Sequence, residues 1–318
     1  MKLFWSYRHL FIIPAFLFIT CGCEKAINVP SNPNLNTQST PSPTSTASPI
    51  PTVIPDDICY ASPVGSTMMT LYRIHPDGTG LTAVTPNTIK VFHPSWSPDK
   101  SQIAFGGYGT SPSQIYTIHS DGTGLTQLTT MGGGTPAWSP DGTRIAFVSN
   151  VGQAWMMNSD GTNLHQITSD SNFVLSPEDI VWSPDSARVV YSSTTANATR
   201  ICNADGSNIQ NFPIHMEYID WSPDGTKFVY GAYTGTTPGG VNVWQIFVIN
   251  ADGTDLTQLT NTPDSHSGPC WSRDGSKIVF VDLTTSAAAN MYIMNSDGSG
   301  VAPLLNAYIY YCYQPCWN

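Results

Sequence analysis

The sequence is short of charged residues, and of basic ones above all. Of its 318 residues only 11% are charged, with 12 Lys and Arg against 22 Asp and Glu, and the formal net charge is −10. A general nucleic-acid binder needs a basic surface that displaces phosphate counterions, and docking on anionic lipid needs basic clusters. The composition therefore excludes both classes, and we expect no nucleic-acid partner.

Long apolar runs and catalytic signatures are also missing. The apolar run from about Leu10 to Ile19 is shorter than the roughly 20 residues that cross a bilayer. The chain contains no G-x-S-x-G elbow, and no P-loop or Rossmann glycine pattern follows a predicted strand. We therefore expect no catalytic residue and no cofactor, and a non-enzymatic binding or scaffold protein is the first hypothesis.

The N-terminus has the pattern of an export signal. Lys2 and Arg8 precede the apolar run, which ends in the small-residue segment "TCGC". Gly22 and Cys23 resemble the lipobox of bacterial lipoproteins, whose cysteine becomes the lipid-modified N-terminus, although Thr20 replaces the usual Leu. Residues 1–23 are thus predicted to be a lipoprotein signal with Cys23 as the anchor, on the periplasmic or extracellular side of a bacterial envelope. Ordinary signal cleavage beside a chance cysteine is the alternative.

A Pro, Ser and Thr-rich segment follows the predicted signal. Residues 24–56 include "PSNPNLNTQSTPSPTSTASPIP", which has too few apolar side chains to offset the entropy of ordering. We predict a disordered, semi-rigid tether here, and a folded domain over 57–318.

Two motifs alternate through the folded region. "WSPDG" and its variants surround six tryptophans, which lie 39 to 50 residues apart: Trp96, Trp138, Trp182, Trp221, Trp271 and Trp317. Six Asp-Gly turns such as "NSDGT" fall between them, 39 to 47 residues apart. A period in the forties is typical of a propeller or solenoid unit. The turn aspartates are expected to bond their own backbone, and the glycines to take positive φ.

Each unit is predicted to form four short strands. In the unit that starts at Pro136, these are a strand with Trp138, then Arg144 to Val148, Ala154 to Asn158, and Leu164 to Thr168. Four antiparallel strands at this period make one propeller blade. The last unit has only its first strand, and "ICYAS" from Ile58 supplies the missing second one. We therefore predict an all-β, six-bladed propeller whose closing blade is shared by the two ends of the chain.

The repeats "PAWSPDGTRIAFVSN" and "MNSDGTNLHQIT" resemble the WD40-like (PD40) repeats of TolB-type six-bladed propellers. The resemblance covers the whole predicted propeller and does not extend to the small N-terminal α/β domain of TolB. It implies the propeller fold and a periplasmic setting. Because the N-terminal domain is replaced by a tether, and TolB has no lipid anchor, the resemblance does not carry over TolB's role in the Tol–Pal system.

The repeat register suggests a disulfide. Counting back from the turn pairs Trp96 with Ile103, and by equivalence Trp317 with Ile58 and Cys316 with Cys59. A Cys59–Cys316 disulfide would lock the ring, and two buried thiols are the equally weighted alternative. Cys312 is a possible competitor, and Cys202 and Cys270 are expected to be core thiols.

The variable loops at the other end of the blades are the expected binding face, since loops on a rigid scaffold usually carry function. We expect the chain to be a monomer. Its expected partner is a protein or glycan of unknown identity. Pectin-type oligogalacturonide lyases resemble the same repeat class and use a metal at the channel, so a metal held by three of these histidines (93, 215 and 266) is the alternative. The candidate ligand face comprises His93, Asp179, His215, Glu217, Tyr218, His266, Tyr310 and Tyr311.

Overall fold

The computed structural model describes residues 57–64, 68–86, 89–108, 112–169, 175, 180–193, 195–237, 240, 242–285, 288–304 and 313–317. Over these residues the chain forms 24 strands and no helix, in six four-stranded antiparallel sheets. No helix in the described part of the chain is long and apolar enough to cross a membrane. The predicted signal, Cys23 and the predicted tether lie outside the described residues.

The predicted six-bladed propeller is confirmed, with the first strand of each blade lining a central channel. The closing blade contains β1 (Ile58–Val64), β2 (Met68–Ile74), β3 (Thr82–Ala83) and the last strand, β24 (Tyr313–Trp317). Blade 1 contains β4 (Lys90–Trp96), β5 (Gln102–Tyr108), β6 (Gln114–His119) and β7 (Thr126–Gln127). Blade 2 contains β8 (Gly134–Trp138), β9 (Arg144–Val148), β10 (Ala154–Asn158) and β11 (His165–Gln166).

The remaining three blades follow in chain order. Blade 3 contains β12 (Ile180–Trp182), β13 (Arg188–Ser193), β14 (Ala198–Asn203) and β15 (Gln210–Asn211). Blade 4 contains β16 (Glu217–Trp221), β17 (Lys227–Thr236), β18 (Asn242–Asn250) and β19 (Thr257–Gln258). Blade 5 contains β20 (His266–Trp271), β21 (Lys277–Thr285), β22 (Ala288–Asn295) and β23 (Ala302–Pro303).

The ring closes in the predicted register. The strand order of the closing blade is β24-β1-β2-β3, so the last strand of the chain pairs antiparallel with the first. Ile58 faces Trp317 and Cys59 faces Cys316, as counting from the turns predicts. Closure by strand pairing leaves no sheet edge open between the two ends of the ring.

The outer strands are shorter than predicted. In blade 2 the second and third strands have the predicted bounds, but β11 has two residues rather than the predicted Leu164 to Thr168. The Ala154 amide donates instead to the hydroxyl of Thr168, at 2.8 Å, and the Ile167 amide donates to the Ala154 carbonyl. A side-chain bond thus replaces the ladder where the outer strand would continue.

The tryptophans of the repeat act as wedges between blades. Trp221 is 5% exposed, and its buried cluster includes Phe228 of its own blade and Val190 of the preceding one. The guanidinium carbon of Arg188, also in the preceding blade, lies 5.3 Å from the Trp221 ring centroid. Arg144 lies over Trp182 in the same way, at 4.7 Å. Burial of such large rings between neighbouring sheets makes the ring a continuous core.

Candidate functional site at the channel mouth

A cavity of about 550 Å³ occupies the axis of the propeller. All six blades contribute, mostly through the tryptophans and prolines of their first strands and the following turns, and Asp220 and Arg273 supply opposite charges. A concave, largely apolar site with a few polar groups is the usual form of a ligand pocket. The cavity has two different ends, because the two tight turns of each antiparallel blade lie at one end and the longer connections lie at the other.

At the turn end, one serine–aspartate hydrogen bond recurs in the five blades that have the motif. In blade 2 the Ser139 hydroxyl donates to Asp141 Oδ1 at 2.6 Å, and the Thr143 amide donates to the same oxygen at 2.9 Å. Gly142 has φ of 72°. These bonds to the carboxylate hold the pKa of Asp141 below its ordinary value despite partial burial. The sequence interpretation of these aspartates as local turn builders is therefore confirmed.

The loop end, which we call the channel mouth, begins at a β-bulge in the first strand. The register with the second strand shifts between Phe92 and Ser95, and at equivalent points in other blades. Three residues before the tryptophan, the backbone is left-handed in four blades. These positions are His93 (φ 48°), Thr135 (φ 49°), Tyr218 (φ 55°) and Gly268 (φ 57°).

Of these four residues, only Gly268 adopts positive φ without strain. An L-residue in this region is disfavoured by roughly 1–2 kcal/mol, and a β-branched or bulky one is an outlier. A bulge bends the strand and redirects the side chain at that point. The mouth therefore combines one backbone geometry with a different residue in each of these four blades, and His93 and Thr135 line the cavity.

The predicted ligand residues fall into several environments. His93 is in the cavity wall, with its ring edge-on to Phe92 at a centroid distance of 5.5 Å. Glu217 Oε2 accepts a 3.0 Å hydrogen bond from Trp244 Nε1, while Oε1 lies 3.9 Å from His215 Nε2. Burial lowers the pKa of His215, and the nearby Glu217 carboxylate opposes that shift. His215 and Glu217 thus form a small polar cluster on blade 4.

His266 is buried where blade 5 meets blade 4. Its Nδ1 lies 3.4 Å from Gln245 Oε1, and its ring meets Phe280 edge-on at 5.3 Å. Burial lowers its pKa, opposed by the carboxylates of Asp282 and Asp264. The three histidines considered for a shared metal therefore have three different surroundings. Within the described ranges, no group of three or more His, Cys, Asp or Glu side chains is placed to hold a metal ion.

The other predicted ligand residues cannot be placed in this site. Asp179, Tyr310 and Tyr311 lie outside the described residues. They remain candidates on the sequence argument alone.

A belt of contacts below the mouth was not predicted from the sequence. In three blades the side chain of the residue before the tryptophan accepts a hydrogen bond from the tryptophan amide of the next blade. Ser95 Oγ accepts from Trp138 at 3.0 Å, Asp220 Oδ2 from Trp271 at 2.7 Å, and Cys270 Sγ from Trp317 at 3.1 Å. Polar residues at this position of the repeat were the available signal, but their partners are in the next blade, so the repeat alone does not show them.

Arg273 was missed for a different reason. It replaces the proline of the "SPDG" turn in "WSRDG", and it is the cationic residue in the cavity lining. The substitution is visible when the repeats of the chain are compared. The repeat does not show, however, that this turn position lines the channel.

Comparison with known proteins supports these observations. The family model described as the TolB beta propeller domain (PD40) matches residues 152–317, just over half of the chain. No curated protein matches the sequence. The structure is similar to TolB from Acinetobacter baumannii, with a TM-score of 0.68 and 19% identity, over 82% of this chain and 66% of that one. The chain thus spans slightly less than two thirds of that relative.

Two further solved structures share the fold at low identity. TolB from Agrobacterium tumefaciens has a TM-score of 0.61 and 17% identity, over 80% of this chain and 90% of the other. An oligogalacturonate lyase in complex with manganese has a TM-score of 0.53 and 14% identity, over 79% and 72%. With six blades, ring closure and the repeat motif all in agreement, the chain belongs to the TolB beta propeller (PD40) family.

Proposed function

We propose that the chain is a non-enzymatic, envelope-anchored propeller that binds a protein or glycan partner at its channel mouth. The observation that carries this proposal is the repeated left-handed bulge, which places His93 and Thr135 in the wall of one cavity and has Tyr218 at the same position of blade 4. Strained backbone retained at the same point of several blades is typical of a functional surface. A constant scaffold with variable residues at one end is a common design for recognition.

The chemistry of the cavity as a whole, from the turn end to the mouth, favours a ligand with little net charge. The cavity wall is mainly proline and tryptophan, and the charged residues in it, Asp220 and Arg273, are of opposite sign. Aromatic side chains with polar groups, such as Tyr218, suit both sugar rings and peptide segments. The acidic charge of the whole chain disfavours an anionic partner.

The envelope anchor is part of the proposal and rests on the sequence. Residues 1–23 provide a signal ending at Cys23, and residues 24–56 provide a tether that holds the propeller away from a membrane. Incorporation of a labelled fatty acid into the full chain tests this step. We expect label in the wild type and none in Cys23→Ser, whereas equal labelling of Cys21→Ser and the wild type identifies Cys23 rather than Cys21 as the site.

The binding face is tested by site-specific photo-crosslinking in cells. A benzophenone amino acid replaces Tyr218 at the mouth or, as a matched control, Leu256, which is 55% exposed beside an Asp-Gly turn at the opposite end. We expect discrete adducts from position 218 and none from position 256. Protease treatment then distinguishes the two partners. The mass added by a protein partner is lost on digestion, whereas the mass added by a glycan remains on the cross-linked peptide.

The lyase alternative makes a separate prediction. It requires a metal bound by the three histidines, so metal analysis of the purified chain with and without chelator is the first measurement. A stoichiometric metal that is lost in His93→Ala would contradict the binding module. Adducts confined to position 256 would contradict the proposed face in either case.

A further inference from the structure

The closing blade differs from the other five at one pair of facing residues. In every blade the residue before the tryptophan faces a residue of the second strand across the antiparallel ladder. In the five other blades this pair never has two cysteines. The pairs are Ser95–Ala104, Ala137–Ala146, Val181–Val190, Asp220–Val229 and Cys270–Val279, and Cys316–Cys59 in the closing blade.

We propose that Cys59 and Cys316 form a disulfide that locks the ring closed. Directly facing residues of an antiparallel pair have Cα atoms about 4.5–5.5 Å apart, which is within the range that a disulfide spans. The structure thereby places the two cysteines at a backbone separation suited to the bond. The five other blades act as internal controls, because the same position there has side chains that cannot be cross-linked.

The position of the pair explains why a covalent bond is useful there. In the other blades an "SPDG" or "SRDG" type of turn joins the first strand to the second, or "SPDK" and "SPDS" in its variants. In the closing blade these strands come from opposite ends of the propeller, and their pairing shifts register after Cys59. Because no turn joins these two strands, they can separate without disrupting a local turn, and their separation opens the ring. A disulfide removes that route of opening.

The surroundings of Cys59 protect the bond once it forms. Cys59 is 0% exposed and belongs to a buried cluster with Leu71, Val91 and Trp96. Reductants attack a disulfide sulfur directly, so a buried bond resists them. Formation transfers two electrons and the two thiol protons to a disulfide-bearing oxidant, whose own disulfide becomes two thiols through a mixed-disulfide step. In cells this requires the export described above, since cytosolic thiols are kept reduced.

Two neighbouring cysteines could compete, and one serves as a control. Cys270 Sγ lies 3.1 Å from the amide nitrogen of Trp317, the residue after Cys316. Cys312 lies outside the described residues. Cys202 is on blade 3, where burial raises the pKa of its thiol to about 11. The Cys202 thiol is therefore almost entirely protonated at neutral pH and exchanges slowly.

The experiment maps disulfides in the full chain. Cells that produce it are quenched in acid, remaining thiols are alkylated, and non-reduced peptides are identified by mass. A reduced sample of the same chain is incubated separately with oxidised glutathione. A Cys59–Cys316 cross-linked peptide in either sample supports the proposal, and its presence only after glutathione points to failed export rather than to wrong geometry. Alkylation of both cysteines in both samples, or bonds of Cys316 to Cys270 or Cys312, overturns it.

A thermal-melting cycle gives a second readout. With the disulfide, Cys59→Ala, Cys316→Ala and the double variant all lower Tm by the same roughly 5 to 10 °C, since either change breaks the one bond. The proteins are partly unfolded, treated with reductant and refolded before melting. We expect this treatment to lower the Tm of the wild type and of the Cys202→Ala control, but not that of the double variant. A loss of Tm in the double variant that equals the sum of the losses in the two single variants, together with no effect of reductant, would contradict the disulfide.

Discussion

The two ends of the channel use left-handed backbone in different ways. At the turn end, positive φ falls mostly on glycine, as at Gly142 and Gly225, or on Asn163 and Asn208, which tolerate this region. At the mouth, the equivalent strain falls on Thr135 and on the histidine and tyrosine that precede Trp96 and Trp221 by three residues. Lys100 and Ser186 are exceptions at the turn end, where most residues suit the left-handed backbone, whereas at the mouth only Gly268 does.

This difference separates what folds the ring from what the ring presents. At the turn end, side chain and backbone satisfy each other within a few residues, so the same short motif recurs from blade to blade. At the mouth, the blades share a bulge and differ in side chain, and the strain is offset by pairing in the rest of each blade. A site that costs stability in the same way in several blades is a better candidate for function than one that stabilises its own turn.

The largest effect on stability is expected from the tryptophans between the blades, which support both ends of the channel. Trp221 is 5% exposed and packs against Phe228 at a centroid distance of 4.5 Å. Trp221→Ala should lower the free energy of unfolding by about 3–5 kcal/mol, because it leaves a large cavity between two blades. Urea unfolding followed by fluorescence or circular dichroism measures the loss.

A phenylalanine series provides the control for that prediction. The Trp221 indole N–H is buried without a hydrogen-bond partner, whereas Trp182 Nε1 donates to the Ala137 carbonyl at 3.0 Å. Trp221→Phe should therefore cost less than Trp182→Phe, which leaves a carbonyl unpaired. The reverse order would mean that the indole N–H groups do not decide the difference.

A smaller loss is expected from the belt between the two ends. Asp220 accepts hydrogen bonds from the amides of Trp221, at 3.0 Å, and of Trp271, at 2.7 Å. Asp220→Ala should cost about 1–3 kcal/mol of unfolding free energy, since two amides lose a charged acceptor. Asp220→Asn, which keeps one acceptor oxygen, should fall between the wild type and Asp220→Ala in the same urea titration. An Asp220→Asn variant as stable as the wild type would contradict a role for the second hydrogen bond.

The sequence predicts the scaffold far better than it predicts the site. Period, turn residues and alternation give six blades, the closing register from Ile58 to Trp317, and the bounds of β9 and β10. These features depend on contacts close in sequence or on strict repetition. The short outer strands were missed because Thr168 bonds Ala154 through its side chain, which alternation does not reveal.

The site is less predictable because its geometry arises between blades. The position three residues before each tryptophan is easily counted, but its positive φ comes from a bulge that sequence alternation does not show. The belt formed by Ser95, Asp220 and Cys270 links residues 43 to 51 positions apart, in different blades. The structure places His93, Glu217 and His266 in the first strands of their blades, and of these three only His93 lines the cavity.

The strain at the mouth is tested directly by exchanging the residues of two blades. Gly268 has the same left-handed backbone as Thr135, with φ of 57° against 49°. Gly268→Ala should lower the free energy of unfolding by about 1 kcal/mol, because alanine is disfavoured in this region. Thr135→Gly should have the opposite sign, a gain of up to about 1 kcal/mol that relieves strain and removes a buried, unpaired hydroxyl. Stability losses of the same size in both variants would show that Thr135 is held without strain.

The smallest effect is expected at the turn end, and it depends on pH. Asp274 accepts hydrogen bonds from the Ser272 hydroxyl, at 2.6 Å, and the Ser276 amide, at 2.9 Å, and these lower its pKa from 3.8 to about 2. Because the folded pKa lies below the unfolded one, the charge stabilises the fold fully above about pH 4, and this contribution is lost as the pH falls through 2. Asp274→Asn keeps the turn geometry without the charge, so it should cost about 1 kcal/mol or less at pH 7. The gap between variant and wild type in urea midpoint should close between pH 4 and pH 2, and a gap of constant size across that range would show that the charge does not stabilise the turn.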